Sequence, residues 1–402
     1  MAQNPNATPL SIYVVYHPDT PESRDLADHL HDWFRLVQDD GDDTEAGLPI
    51  WFRARLGENA GKPEISPDID WEAADLNVVV LLVDDRMVTD RRWRQALQAL
   101  MDHRDGNLIL PVAVDFSLYR LTFLYEKLNP IRIGDPRDRD EDENPRKGVK
   151  KQARQQRIAQ RARLLRRAVT EAITRELQDR RTADSAPIPM EVFLSHAKRD
   201  GIKIAEAIRD GLAGFSQMKA WYDANELPPG YDWNSPMKQA AEAQTAVLLS
   251  VVTDAYATRY WCRQEVNLAR TPRALKLPAP QARVSAWTVQ PTVAVHHANQ
   301  WSRPMAQLAQ IPRIGWPDNE AEVPARVADI VDRLLLETLL VTFYRRYIPK
   351  LAKEMTGEMT RRNAELVLLS WVPDPWSMAR LIPKVRKKIS GTPSEVIFAY
   401  PG

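Results

Sequence analysis

Hydrophobic positions fall along this chain in short runs that alternate with segments of helical period. Residues 10–16 are β-branched and aromatic and read as a strand. Residues 19–34 follow as a helix, with Leu26, Leu30, Trp33 and Phe34 on one face. An acidic loop over 39–45 leads to a second strand at 48–52, then a long polar loop with Gly57, Gly61 and Pro63. Residues 76–83 are continuously apolar, as strands are when a parallel sheet is covered on both faces. A helix at 93–100 and another buried-type strand at 108–114 complete the unit. Strands alternating with helices predict a doubly wound α/β fold.

A charged linker over 135–146 runs into a long basic helix striped by Ile158, Ala162, Leu165, Val169, Ala172 and Leu177. A break at 183–189, rich in Pro, Ser and Ala, reads as a domain boundary. The pattern then starts again. It predicts strands at 191–196, 219–222, 246–252 and 292–295, a helix facing inward with Ala205, Ile208, Leu212 and Phe215, and another helix over 261–269. The residues repeat too: Val15-Tyr16-His17 against Leu194-Ser195-His196, Trp51-Phe52 against Trp221-Tyr222, and Trp93-Arg94-Gln95 against Trp261-Cys262-Arg263. Two copies of one fold are expected, over 8–182 and 189–320. A small C-terminal α/β segment over 321–402 is expected to hold a helix at 330–347 and strands at 365–371 and 395–400 around a helix near 378–389.

Bulk properties narrow the class. The chain has 402 residues, 44% of them hydrophobic and 27% charged, an ordinary globular balance. Its net charge of +1 gives no global attraction to nucleic acid or membrane. The single cysteine, Cys262, allows no internal disulfide and suits a reducing compartment. No leader-like or membrane-length apolar segment is read, so a cytoplasmic protein is expected. The seven histidines have no metal-ligand spacing, and His296-His297 read as a loop pair. The basic helix has ten Lys or Arg and no acid between Arg146 and Arg167. That run could contact phosphates, yet it has no aromatics interleaved to stack bases, and a solvated helix closing the first unit is the favoured reading.

Candidate chemistry lies in the second copy. Val192-Phe193-Leu194-Ser195-His196, Trp221-Tyr222-Asp223 with the loop Leu227-Pro228-Pro229-Gly230, the apolar strand at 246–250, and Trp261-Cys262-Arg263-Gln264-Glu265 occur in that order. Together they resemble a TIR domain (Toll/interleukin-1 receptor type) over about 130 residues. The resemblance implies two flavodoxin-like, doubly wound parallel-sheet domains in tandem. It also implies a bacterial TIR NAD hydrolase in antiviral defence, with NAD+ as substrate and no separate cofactor or metal. It assigns Glu265 as the catalytic carboxylate and lines the pocket with Phe193, Ser195, His196, Asp223 and Trp261. It makes Leu227, Pro228, Pro229 and Gly230 an assembly loop through which TIR domains self-associate and complete one another's pockets. Breaking the nicotinamide–ribose bond passes through an oxocarbenium-like ribose, which one carboxylate can stabilise. Nicotinamide leaves neutral, so no strong acid is required.

Plainer roles stand beside these. Trp261 could be core, Ser195-His196 a strand-end cap, and Cys262 a buried small hydrophobe. A tandem TIR adaptor, binding partners through the same loop without catalysis, is the alternative function. In the first copy Leu97 is read where Glu265 would stand, Tyr16 in place of Ser195 and Arg53 in place of Asp223. That copy is expected to be inert and to serve assembly, sensing or regulation.

Overall fold

The computed structural model describes residues 8–36, 47–58, 65–134, 147–179, 191–215, 219–222, 247–277, 283–297, 302–389 and 391–400. The chain divides into two compact units, Met1–Arg180 and Arg181–Gly402.

In the first unit, β1 (Ser11–Tyr16) is buried throughout and enters α1 (Pro21–Arg35), whose first position is a proline already set for helix. Next come β2 (Ile50–Arg53), an antiparallel pair β3 (Leu56–Glu58) and β4 (Ile65–Pro67), and the wholly buried β5 (Asn77–Val83). After α2 (Asp85–Thr89), Asp90 caps α3 (Arg91–Leu100) by accepting from the amides of Arg92 and Trp93. β6 (Leu108–Ala113), α4 (Thr122–Tyr125), β7 (Ile131–Arg132) and the 33-residue α5 (Lys147–Asp179) complete the unit. All five main strands are parallel, in the order β2-β1-β5-β6-β7. Along α5, Ile158, Ala162, Leu165, Val169, Ile173 and Leu177 are buried. Its basic residues are partly engaged within the unit. Arg154 pairs with Asp25 at 3.1 Å, Arg161 with Glu22, and Arg166 lies over the Trp33 ring. The helix closes its own unit with its apolar stripe packed as expected, but Arg161 and Arg167 are largely enclosed and not in water.

The second unit opens with β8 (Glu191–His196), α6 (Ile202–Phe215), β9 (Lys219–Tyr222), β10 (Val247–Val252) and α7 (Tyr260–Arg270). It continues through β11 (Arg273–Ala274), β12 (Val284–Thr288), β13 (Thr292–His297), β14 (Arg313–Trp316) and the 40-residue α8 (Val323–Arg362). It ends with β15 (Ala364–Leu369), α9 (Pro375–Lys388) and β16 (Glu395–Ala399). Its main sheet is parallel, in the order β9-β8-β10-β13-β14. Numbered by appearance, both sheets run second, first, third, fourth, fifth. This is the flavodoxin-like doubly wound order, and in both the fifth strand leads into a long helix.

One face of the second sheet packs on α6 and the first half of α8, through Ile208, Leu212, Val327, Val331 and Leu334. Gly211 allows the close crossing, because a methyl there would meet Val327 Cγ1 at 2.1 Å. The other face packs on α7 through Phe193, Leu248, Cys262 and Val266.

A second, four-stranded sheet runs β11-β12-β15-β16, with β12, β15 and β16 parallel. It packs on the second half of α8 through Ile348, Ala352 and Met359. The lobe expected from residue 321 onward therefore takes two strands from before that point. Between α7 and β13 the chain inserts the β11/β12 pair where the first unit passes almost directly from α3 to β6. The Val284–Thr288 segment, which the sequence reading passed over, joins this sheet by pairing with β15. Among the described residues, no helix is long and apolar enough to cross a membrane.

Candidate active site

The site is built at the carboxyl end of the second parallel sheet, where the strand order reverses between β8 and β10. Such switch points open a crevice between the loops. Ser195, on the last turn of β8, stands beside Ser250 on β10. Ser195 is buried, and its hydroxyl donates to the Glu265 carboxylate on α7. That uses its single proton, so at 2.6 Å the Ser195 oxygen accepts from the Tyr256 phenol. Tyr256 sits in the short turn after β10 and is fully enclosed. Burial, then the Glu265 and Cys262 charges, push its ionisation well above the ordinary phenol value, so it remains a donor. The result is a directed chain from Tyr256 through Ser195 to Glu265.

Neighbouring bonds hold the loops that carry these groups. Asp200, after β8, accepts from the Thr253 hydroxyl at 2.5 Å and the Ala255 amide at 2.9 Å, tying the two strand ends together. Cys262 Sγ donates weakly to the His196 carbonyl at 3.5 Å, seating the first turn of α7 against β8. Glu265 is half-buried, one turn beyond the exposed Trp261.

The residues named from sequence are thus distributed unevenly. Ser195 and Glu265 are in direct contact. Phe193 lies within the apolar cluster beneath them, with Leu248 and Tyr256. His196 is buried beside Ser195, and Trp261 is 46% exposed with its ring edge-on to Tyr260 at 5.2 Å, which rules out a core role. Asp223, Leu227, Pro228, Pro229 and Gly230 lie outside the described residues. Sequence reasoning missed Tyr256, Thr253 and Asp200. Their signal was the polar run directly after each buried strand. His296 and His297 are strand residues, not a loop pair, and burial with the nearby Arg313 and His297 charges pushes His296 below its usual value. Among the described residues, no group of three or more His, Cys, Asp and Glu could hold a metal ion.

The two copies can be compared position by position through their strand pairings. Tyr13 pairs with Trp51 and Phe193 with Trp221, so the Trp51/Trp221 repeat is in register. Val15 pairs with Leu81 as Ser195 pairs with Ser250. The faces agree, since Val15 and Leu81 pack towards α3 as Ser195 points to α7. Ser195 therefore corresponds to Val15, not Tyr16. The helices shift likewise: the N-caps Asp90 and Arg259 correspond, which sets Trp93 against Cys262, Ala96 against Glu265 and Leu97 against Val266. Burial confirms it, because Trp93 is 4% exposed like Cys262 and unlike Trp261. The shared Trp93/Trp261 and His17/His196 identities drew the sequence comparison one residue out of step, although Arg94-Gln95 and Arg263-Gln264 agree with the structural alignment. One step flips a strand residue to the other face. In the first unit the polar chain is replaced by Val15, Met87 and Ala96, all fully buried. Among the described residues, the first unit has no counterpart of the polar chain.

A family model described as TIR domain matches residues 192–301. Those residues are a TIR domain. No curated protein matches the chain. The match does not reach residues 8–182, whose likeness to the TIR domain is one of strand order and register. The matched span ends before β14 and α8, so of the four lobe strands β11 and β12 lie inside it and β15 and β16 beyond it.

Proposed function

We propose that the TIR domain hydrolyses NAD+, releasing nicotinamide and leaving ADP-ribose or a cyclic ADP-ribose, with Glu265 as the catalytic carboxylate. The observation that carries this reading is the Ser195–Glu265 contact at the carboxyl end of the sheet. A half-buried carboxylate held by a directed hydroxyl is already oriented before substrate arrives, and orientation is what electrostatic stabilisation of a cation requires. As the nicotinamide–ribose bond breaks, positive charge develops on the ribose, and Glu265 stabilises it while accepting ribose hydroxyls. The bonding pair leaves with nicotinamide, which departs neutral. The ribose cation is then captured by water to give ADP-ribose, or by a nucleophilic atom of the same molecule, with no water consumed, to give the cyclic product. In either case a proton is released. Ser195 holds the carboxylate in place, and Tyr256 fixes which way the Ser195 proton points.

In this reading the protein is a cytoplasmic antiviral effector of bacterial type, switched on when TIR domains assemble. The first copy, which has no counterpart of the polar chain among its described residues, contributes to assembly or sensing. The test is nicotinamide release from NAD+ by the full chain, dilute and crowded, with Glu265→Ala beside it. Loss of a well-placed electrostatic group lowers kcat by about 100-fold or more. Absence of release under every assembling condition would instead favour the adaptor.

A further inference from the structure

The far end of α7 carries an arrangement that the candidate chemistry does not use. Arg270 is the last residue of that helix, five positions beyond Glu265, and it is 3% exposed. Its guanidinium donates to Asp374 at 2.8 Å, and Asp374 is itself buried at the start of α9. Asp374 is also satisfied by the Ser377 amide and hydroxyl, both at 2.8 Å, in a capping box. A second carboxylate, the half-buried Glu337 on α8, lies within electrostatic reach of Arg270 and is held by Arg333 at 2.6 Å. The Ala269 carbonyl accepts from the Gln290 amide at 2.9 Å, and Lys384 on α9 donates to the Pro272 carbonyl at 2.7 Å. The last turn of α7 and the two residues after it are thus bonded by α9 of the lobe and by Gln290, just beyond β12.

A guanidinium cannot shed its proton, so a buried one seats only where its carboxylate waits. The cation also lies at a helix C-terminus, where the backbone dipole favours it. In the first unit the position of Arg270 is Met101, which packs half-buried against the apolar cluster. The copy without the carboxylate lacks the clasp.

We propose that the lobe is a positioning device for α7: Asp374 clasps Arg270 and so sets the rotation and depth at which Glu265 meets its substrate. Arg270 and Asp374 are positioning residues in this scheme, and their effect on catalysis rests on Glu265 acting as proposed. The clasp itself can be read without catalysis, because Cys262, the chain's one cysteine, lies buried on the same helix.

The experiment compares the full chain with Asp374→Asn, which keeps a capping side chain and removes the charge, and with Asp374→Glu. Met359→Ala, in the lobe core away from α7, controls for general loosening. Two quantities are measured: the rate at which an aromatic disulfide reagent labels Cys262, and kcat and KM for nicotinamide release. Asp374→Asn is expected to label about tenfold faster or more through local opening of α7. Its kcat is expected to fall about tenfold or more with KM changed little, because misplacing a catalytic group costs turnover. Asp374→Glu should recover part of both, and Met359→Ala should change neither beyond its loss of melting temperature. Unchanged labelling in Asp374→Asn overturns the clasp, as does an equal change in Met359→Ala. Faster labelling with no nicotinamide release from any variant, the unaltered chain included, keeps the clasp and removes Glu265 from catalysis. Faster labelling with unchanged kcat in an active enzyme overturns its positioning role.

Discussion

Leu97→Glu separates the two ways of aligning the copies. If Trp93 answered to Trp261, this substitution would restore a missing carboxylate. In the fold, Leu97 is 0% exposed and packs with Trp93, Val88 and Leu100, at the level of Val266. Glu and Leu are close in volume, so the dominant cost is desolvation of the new carboxylate. Burial raises its folded-state pKa above the unfolded value of about 4.3. Between those two values the unfolded chain has released a proton that the folded chain still holds. Stability then falls by about 1.4 kcal/mol per pH unit as pH rises, and below the unfolded value this component vanishes. A folded pKa at or above neutrality makes the loss about 4 kcal/mol at pH 7. That is a large share of a domain's stability. The assay is urea denaturation of the full chain at several pH values, with Leu97→Gln as a reference that has the amide's polarity and no titration. The expected result is a gap between the two variants that is small near pH 4 and widens to about 4 kcal/mol by pH 7. A flat gap, or any nicotinamide release from Leu97→Glu in a Glu265→Ala background, would refute the alignment.

Three further outcomes follow from the same geometry. Trp93→Ala should cost about 3–5 kcal/mol, because it empties core, whereas Trp261→Ala should cost under about 1 kcal/mol by denaturation, because Trp261 is exposed. Gly211→Ala should destabilise the second unit by about 1–3 kcal/mol despite its helix-propensity gain of about 1 kcal/mol, since its methyl would overlap Val327. Adding Val327→Ala should relieve the strain, and simple additivity of the two would contradict the close crossing. Tyr256 should remain un-ionised in an ultraviolet titration past pH 10, where exposed tyrosines ionise. Its raised ionisation means that its contribution to stability is full below about pH 10 and is lost as pH climbs above it.

Strand and helix order was legible because the runs at β1, β5 and β10 are short and almost wholly apolar, as strands are in a doubly covered parallel sheet. The strand order shared by the two units was legible for the same reason. Their register was not, since the shared tryptophans lie at different helix positions, and strand pairing decides register. β12 escaped notice because Val284–Thr288 is short, and its partner β15 lies far along the chain. Glu265 and Ser195 were legible as motif residues, but Tyr256 was not. A buried phenol announces itself only once three segments distant in sequence meet. The Arg270–Asp374 clasp was invisible for the same reason, as its partners are 104 residues apart.

The central claim is that Glu265, oriented by Ser195, cleaves NAD+. Glu265→Gln keeps the side chain's size and its bond from Ser195 while removing the charge. Nicotinamide released from NAD+ by the full chain under crowding, beside this variant at matched melting temperature, tests the claim most directly. The account predicts release by the unaltered chain and a fall of about 100-fold or more in the variant. Release that persists in Glu265→Gln, or none from the unaltered chain in any assembled state, would contradict it.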